Sequence, residues 1–448
     1  MIDSSNRSAP LAEALLGAAQ LIAAVLAGRT LDVALGASPL TGVVRAATMD
    51  LTYSTLRAFG RGDFLLGLLL ERPLQDNTAR GLLLAALARL ETRPEEAHTT
   101  VDQAVTAAAQ LELARSRFKG LVNGVLRNFL RQREDLLAKA DANPVARWRH
   151  PAWWIARLRR DHPAHWESIL AAGNTHPPLC LRVNRRRTTS ADFLVQLNTA
   201  GIAARALDAT AILIEKPLPV ERIPGFAAGL CSVQDWGAQA AAGLLEVQDG
   251  MRVLDACAAP GGKTAHLLEI ARLELTALDA DALRAARITE NLNRLGLQAT
   301  VNVGDARVVD TWWDGRPYDC ILADVPCSAS GVVRRHPDAK WLRRETDIAG
   351  FARTQKTIVD ALWRTLVPGG KMLYATCSVF EEENAGQVEA FIGRHADARR
   401  LPTLVSSMVS TRAATTGTTT RATDNDAQLH HLPDAEHDGF YYSLLQKD

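Results

Sequence analysis

Leu254-Asp255-Ala256-Cys257-Ala258-Ala259-Pro260-Gly261-Gly262-Lys263-Thr264 runs from a strand-like segment through a tight glycine turn into a helix start. Such a turn brings a ligand close to the backbone and points the first amides of the helix at it. Two familiar loops fail on inspection. A Walker A loop needs glycine where Cys257 stands, five residues before Gly262, and the dinucleotide pattern GxGxxG is absent. What remains is an α/β loop for another nucleoside ligand.

Outward from this loop the pattern is βαβ. The runs Arg252–Leu254, Leu275–Leu278, Thr300–Val303, Cys320–Ala323 and Lys371–Ala375 read as strands, and Ala282–Leu295 and Thr346–Leu366 as helices between them. Alternation of this kind predicts a largely parallel, doubly wound sheet, with Phe440–Leu445 as an antiparallel edge strand. Three strands end in or just before an acid: Asp255, Asp279 and Asp305. A carboxylate at the second strand end suits both ribose hydroxyls, and Asp305 is placed to reach the adenine. Each aspartate alone could merely cap a turn; together with the glycine loop they point to S-adenosyl-L-methionine. The cofactor-binding set is then Cys257, Ala258, Ala259, Pro260, Gly261, Gly262, Lys263, Asp279, Asp305 and Asp324. Lys263 has three readings: lowering a thiol pKa, contacting substrate or capping its own helix turn.

Two further strands end in thiols: Asp324-Val325-Pro326-Cys327-Ser328 and Ala375-Thr376-Cys377-Ser378. Strand ends of open α/β sheets lie at the rim where ligands bind. Thiols there suit covalent chemistry on an electrophilic ring carbon, since a thiolate converts one hard step into easier ones. A motif for methylating exocyclic amines, Asp-Pro-Pro-Tyr, would place an aromatic where Cys327 stands, so carbon is the favoured acceptor. Spacing alone does not say which thiol attacks. The plain alternative is a pair of buried structural cysteines.

The rest of the chain sets the context. At 448 residues, 47% hydrophobic and 23% charged, it has room for several globular domains. Residues 9–135 read as all-helical, and the apolar segment 11–27 as a buried or amphipathic helix rather than a signal or membrane segment. In Leu121–Arg131 the apolar positions form one stripe, with Arg127 and Arg131 off it and Arg133 just beyond. A short mixed segment, 145–235, follows.

Net charge is only +1, yet nine arginines and no lysine lie between Arg147 and Arg187, interleaved with Trp148, Trp153, Trp154 and Trp166. Arginine with aromatics suits phosphate contact and base stacking; a solvated surface is the bland reading. Arg334, Arg335, His336, Lys340, Arg343 and Arg344, just past the Cys327 loop, divide the same way between holding an RNA backbone and pairing with nearby acids. The six cysteines show no paired CxxC spacing, which argues against zinc and for a reducing compartment. Residues 402–428, rich in Thr, Ser and Ala, read as a mobile loop.

The strings DACAAPGGKT, ADVPCSASGVVRRHPD and YATCS resemble those of the RNA cytosine-C5 methyltransferases. LVNGVLRNFLR, PPLCLRVN, SVQDWGAQ and HDGFYYSLL are similar to the branch acting on small-subunit ribosomal RNA. The match covers nearly the whole chain and departs in 402–428 and in the Ala/Leu-rich N-terminus. It implies a multidomain protein: an all-α NusB-like RNA-binding domain (1–140), a small α+β RNA-binding module (145–235) and a C-terminal α/β Rossmann-like methyltransferase domain (236–448).

By the same resemblance Cys377 is the nucleophile, Cys327 assists product release, and Asp324 is the partner of the cytosine edge. The expected protein is a cytoplasmic monomer, metal-free and off the membrane. It methylates C5 of one cytosine of 16S rRNA, the 967-type site, through a covalent cysteine–C6 intermediate. The rivals are the same chemistry on transfer RNA and a non-catalytic RNA-binding or antitermination factor.

Overall fold

The computed structural model describes residues 10–111, 118–402 and 429–448. They form two compact units, and the chain does not divide between them in simple order. Residues 333–345 belong with the N-terminal unit, up to Thr175, and residues 176–332 and 346–448 form the second. The segment 145–235 is thereby shared, 145–175 falling in the first unit and 176–235 in the second. The Thr-rich stretch lies outside the described residues, apart from Pro402.

The first unit is helical. Leu11–Leu26 is a buried helix packed against Asn77–Thr92, whose residues from Leu82 to Leu87 are all buried. Alanine and glycine allow that closeness: a Cβ on Gly81 would sit 2.7 Å from the Ala19 carbonyl oxygen. Asp76 starts the second helix by accepting hydrogen bonds from the Thr78 and Ala79 amides, both at 2.9 Å. The helix Phe118–Arg131 buries Val122, Val125, Leu126 and Phe129 and leaves Arg127 and Arg131 exposed, as its stripe predicts.

The excursion 333–345 docks into this unit. Lys340 is fully buried, and its Nζ donates to Arg57 O (3.0 Å), Arg149 O (3.1 Å) and Asn174 Oδ1 (2.9 Å). Trp341 packs on Phe59, and Asp338 accepts from the Leu31 amide at 2.9 Å. Arg334 is buried too. For Arg334 and Lys340 this corrects the phosphate reading: both side chains serve the interior, which a basic run alone does not reveal.

The second unit holds both sheets. The smaller is antiparallel, in the order β2-β3-β1-β4, with β1 Leu179–Val183, β2 Ala204–Ala206, β3 Ala211–Ile214 and β4 Cys231–Val233. Alternation along β1 sends Leu181 and Val183 into a core with Phe193, Leu197 and Ile212, and Arg182 to the opposite face.

The larger sheet contains β5 Arg252–Ala256, β6 Glu274–Asp279, β7 Thr300–Val303, β8 Tyr318–Asp324, β9 Leu366–Thr376, β10 Ala398–Leu401 and β12 Phe440–Lys447, in the order β10-β12-β9-β8-β5-β6-β7; β11 Leu429–His431 pairs with β12. The five strands β5 to β9 run parallel, and β12 is antiparallel to β9. β12 was expected at the edge; β10 pairs beyond it. The sequence of β10, Ala-Arg-Arg-Leu, is too short and polar to read as a strand. Alternate residues feed two cores, Val253 and Leu373 on one face, Leu254 and Met372 on the other. The chain winds outward from β5 to β7 and returns at β8 beside β5, which makes the β5/β8 boundary the topological switch point where α/β sheets bind ligands.

Candidate active site

The loop after β5 is a cradle of backbone. Cys257 adopts a left-handed conformation (φ 60°), the Ala259–Pro260 bond is cis, and Gly261 (φ 93°) precedes the helix Gly262–Ile270. A Cβ on Gly261 would meet Ile288 Cα at 3.1 Å, so glycine is required by both its dihedral and its neighbour. Cys257 is disfavoured as a thiolate. Burial, aided by Asp324, Asp279 and Asp255, pushes its thiol up to about 12.

Two acids brace the loop. Asp255, wholly buried, accepts from Thr264 Oγ1 at 2.6 Å. Burial lifts its carboxyl to about 7 against that hydrogen bond, with Asp324 adding to the rise, and its Oδ1 is buried without a hydrogen-bond partner. Asp279, at the end of β6, accepts from the Ala259 amide (3.1 Å) and the Asp281 amide (3.1 Å).

Asp305 stands differently from the sequence expectation. Arg307 engages its carboxylate, with Nη2 to Oδ2 at 2.6 Å and Nε at 2.9–3.0 Å from both oxygens, and so holds it below the usual carboxylate range. Its backbone carbonyl takes Trp312 Nε1 at 2.9 Å. Near these acids in sequence, Leu283 is 82% exposed and Val308 49%, apolar side chains left without cover at the carboxyl end of the sheet.

Lys263 performs none of the helix capping considered for it. Its Nζ binds Asp324 Oδ2 at 2.6 Å and lies 5.6 Å from the centre of the Phe440 ring. Burial disfavours its charge, but Asp324, Cys377 and Asp255 outweigh that, and its pKa is raised.

The two thiols meet. β8 and β9 are parallel neighbours with Asp324 opposite Ala375, so Cys327 and Cys377 leave the sheet side by side and their Sγ atoms stand 3.3 Å apart. Both are half-buried, unlike Cys180, Cys231 and Cys320 in the interior; all six cysteines are free. The hydrogen bond to Cys377, burial, and negative charge on Cys377 and Glu383 all raise the Cys327 pKa. Each of these causes favours the thiol form of Cys327.

Sequence reasoning missed what lies beneath. Glu383, wholly buried, takes hydrogen bonds from Ser328 N (2.8 Å), Ser328 Oγ (2.5 Å), Ser378 Oγ (2.6 Å) and Gln355 Nε2 (3.2 Å). The signal available was the repeat of Cys-Ser at both strand ends, followed by Glu-Glu-Glu-Asn at 381–384. It also missed Arg182, whose guanidinium makes a two-pronged ion pair with buried Glu269 (2.9 and 2.8 Å) and donates to Gly262 O at 2.7 Å, tying β1 to the glycine loop. Arg186 donates to Glu269 O and Ala271 O. These two arginines of the basic run thus serve protein contacts rather than the phosphate contact read from the sequence.

Fold and site together define an α/β methyltransferase. The profile of the "16S rRNA methyltransferase RsmB/F" family matches residues 242–446, that of the "Methyltr_RsmF/B-like, ferredoxin-like domain" residues 150–221, and that of the NusB family residues 13–131. Curated relatives called ribosomal RNA small subunit methyltransferase B are 42% identical in Serratia proteamaculans, over 90% of both chains, and 42% identical in Pseudomonas syringae, over 96% of both. The chain belongs to the ribosomal RNA small subunit methyltransferase B family.

Among solved structures, the Pyrococcus horikoshii methyltransferase homolog (24% identity, TM-score 0.56) covers 68% of this chain and 97% of its own. NSun6 of the same organism, solved with SFG (18%, TM-score 0.57), covers 66% and 98%. At these identities the likeness is one of fold.

Proposed function

We propose that this chain methylates C5 of a specific cytosine in 16S rRNA, using S-adenosyl-L-methionine, through a covalent bond between Cys377 and C6. The observation that carries the reading is the pair of half-buried thiols 3.3 Å apart beside the Lys263–Asp324 ion pair, at the carboxyl ends of adjacent parallel strands. The domain roles follow the three parts expected from sequence: the segment 1–140 and the module 145–235 hold RNA, and 236–448 carries the chemistry, in a cytoplasmic monomer.

The residues present fit the cofactor. The loop Cys257-Ala258-Ala259-Pro260-Gly261-Gly262-Lys263 offers backbone groups and a helix N-terminus, and Asp279 a carboxylate for the ribose. Leu283 and Val308, exposed and apolar, suit the faces of an adenine. Asp305, paired with Arg307 and with 35% of its side chain exposed, offers the base the acceptor capacity that pair leaves. Bound there, S-adenosyl-L-methionine supplies an electrophilic methyl group to C5.

The chain's own residues do the rest. Cytosine C5 is a feeble nucleophile until the Cys377 thiolate adds to C6 and makes the ring an enamine. Asp324, with 28% of its side chain exposed and ion-paired to Lys263, accepts from the exocyclic amine, while N3 takes a proton from solvent as the enamine forms and returns it when the thiolate leaves. Once Cys377 is bonded to carbon, its hydrogen bond to Cys327 and its negative charge are gone, and with them two of the causes that keep Cys327 protonated. Cys327 then releases its proton to solvent and accepts the one leaving C5. Expulsion of the Cys377 thiolate restores the pair.

Three assays test this. Cys377→Ala abolishes methyl transfer while cofactor binding, measured by calorimetry, persists; full activity would sink the nucleophile assignment. Cys327→Ala accumulates an RNA–protein adduct on denaturing gels, and rapid clean turnover would argue against its release role. With labelled methyl donor, isolated 16S rRNA accepts label and transfer RNA does not; the reverse would move the substrate, not the chemistry.

A further inference from the structure

We propose that Glu383 is the positioning residue that locks the two cysteine loops together and so sets the distance between the reacting thiols. This rests on the reading of Cys377 and Cys327 as the working pair.

The geometry is close to symmetric. Each cysteine is followed by a serine, and Ser328 and Ser378, one from each loop, donate their hydroxyls to the same carboxylate oxygen, Glu383 Oε2, at 2.5 and 2.6 Å. The other oxygen, Oε1, takes Ser328 N–H and Gln355 Nε2. Gln355, on the helix Glu345–Trp363, also donates to Pro326 O at 3.0 Å, the carbonyl just before Cys327. Ser330 Oγ lies 3.1 Å from Ser328 Oγ and 3.0 Å from Ser378 Oγ, closing the ring.

Glu383 itself is held from behind. Its carbonyl accepts Tyr374 Oη at 2.6 Å, and its neighbour Asn384 accepts from Thr376 Oγ1 and donates to Ser378 O. The loops also meet through backbone: Gly331 N donates to Cys377 O at 2.8 Å, and a Cβ on Gly331 would strike Gly439 O at 2.3 Å. Backbone contact therefore brings the loops together; Ser330 and Glu383 each reach the residue after both thiols, and Glu383 does so through one carboxyl oxygen, Oε2, while tying in Gln355 through Oε1.

A carboxylate is suited to this task. Burial raises the pKa of Glu383, and the hydrogen bonds from Ser328, Ser378 and Gln355 work against that rise and leave those donors few alternatives. An alanine there would leave the two serine hydroxyls without their common acceptor and open a cavity under both loops. A shift of about 1 Å between thiols costs roughly a hundredfold where two groups must act in turn on one ring.

The test reads the thiol distance directly, in full-length protein, without relying on methyl transfer. Diamide takes two electrons and two protons from a thiol pair, leaving a disulfide and a reduced hydrazine. In the wild type the Cys327–Cys377 pair should close rapidly, read as the loss of two mass units on a peptide pair. Glu383→Ala should slow closure about tenfold and lower kcat about a hundredfold, with the KM for S-adenosyl-L-methionine unchanged. Glu383→Gln, which keeps a carbonyl for Ser328 N–H and an amide for the hydroxyl oxygens, should recover part of both.

If Glu383→Ala does not fold, the paired change Ser328→Ala with Ser378→Ala decides: slowed closure supports the clamp, and wild-type closure overturns it. Closure and kcat at wild-type values in Glu383→Ala would equally overturn it. Wild-type protein that closes the disulfide but methylates no RNA would instead count against the methyltransferase reading, so the two failures are distinguishable.

Discussion

Lys263 and Lys340 are both enclosed by protein, one in each compact unit, and they are held in opposite ways. Lys263, with 14% of its side chain exposed, faces the carboxylate of Asp324 and has Cys377 and Asp255 near, so it stays charged and its pKa rises. Lys340, wholly buried, donates to three neutral oxygens, which uses all three protons of its ammonium form, while burial together with Arg149 and Arg57 drives its pKa well below the usual lysine value. Enclosure alone therefore does not say what a lysine does. The charge of its partners does: a counter-ion makes Lys263 an electrostatic element of the site, and neutral acceptors make Lys340 a three-pronged hydrogen-bond anchor.

The largest effect that separates the two is catalytic. Lys263→Met leaves Asp324 without its cation and should lower kcat on RNA by about a hundredfold, whereas Lys340→Met should leave kcat within about threefold of wild type when assayed well below the melting temperature. Steady-state methylation assays on both proteins check this. Equal losses would erase the contrast between site and anchor.

A smaller effect runs the other way, in stability. Lys340→Met strands three oxygens inside the helical unit while relieving the amine of its desolvation, so a net loss of about 1–3 kcal/mol is expected by urea unfolding. A gain in stability would mean that burying the amine costs more than its three hydrogen bonds return.

The same distinction governs what the sequence could tell. The glycine loop, the acids at strand ends and the two cysteines were legible because each follows an apolar run that can only be a strand, and strand ends in a parallel sheet converge. Arg182, Arg334 and Lys340 were not. An arginine beside other arginines reads as surface, and nothing local reveals that Arg182 meets Glu269 eighty-seven residues away in a buried pair. Asp305 shows a related limit: its strand-end position was legible, but the pairing of its carboxylate with Arg307, two residues on, was not. Glu383 was hidden because its ring draws on residues 328, 330, 355 and 378, whose meeting is a product of the fold rather than of any pattern along the chain.

The finest test of the lysine contrast is pH. For Lys340 the unfolded chain takes up a proton with an ordinary lysine pKa near 10.5, while the folded chain resists it. Between the folded and the unfolded pKa, unfolding is accompanied by proton uptake, so wild-type stability rises with pH across that window and levels off above the unfolded pKa. The slope for one proton is at most about 1.4 kcal/mol per pH unit. Lys340→Met lacks this dependence, so the stability gap between wild type and variant should widen from pH 7 to pH 9. Lys263 has the reverse sign: its raised pKa stabilises the fold below the unfolded value, and that contribution fades as pH climbs through the folded one. Its gap to Lys263→Met should hold constant from pH 7 to pH 9 and shrink only above. Urea titrations of the three proteins across that range measure both trends; a gap for Lys340 that stays flat would show that its amine is charged in the fold, with the desolvation cost met by the carbonyl oxygens around it.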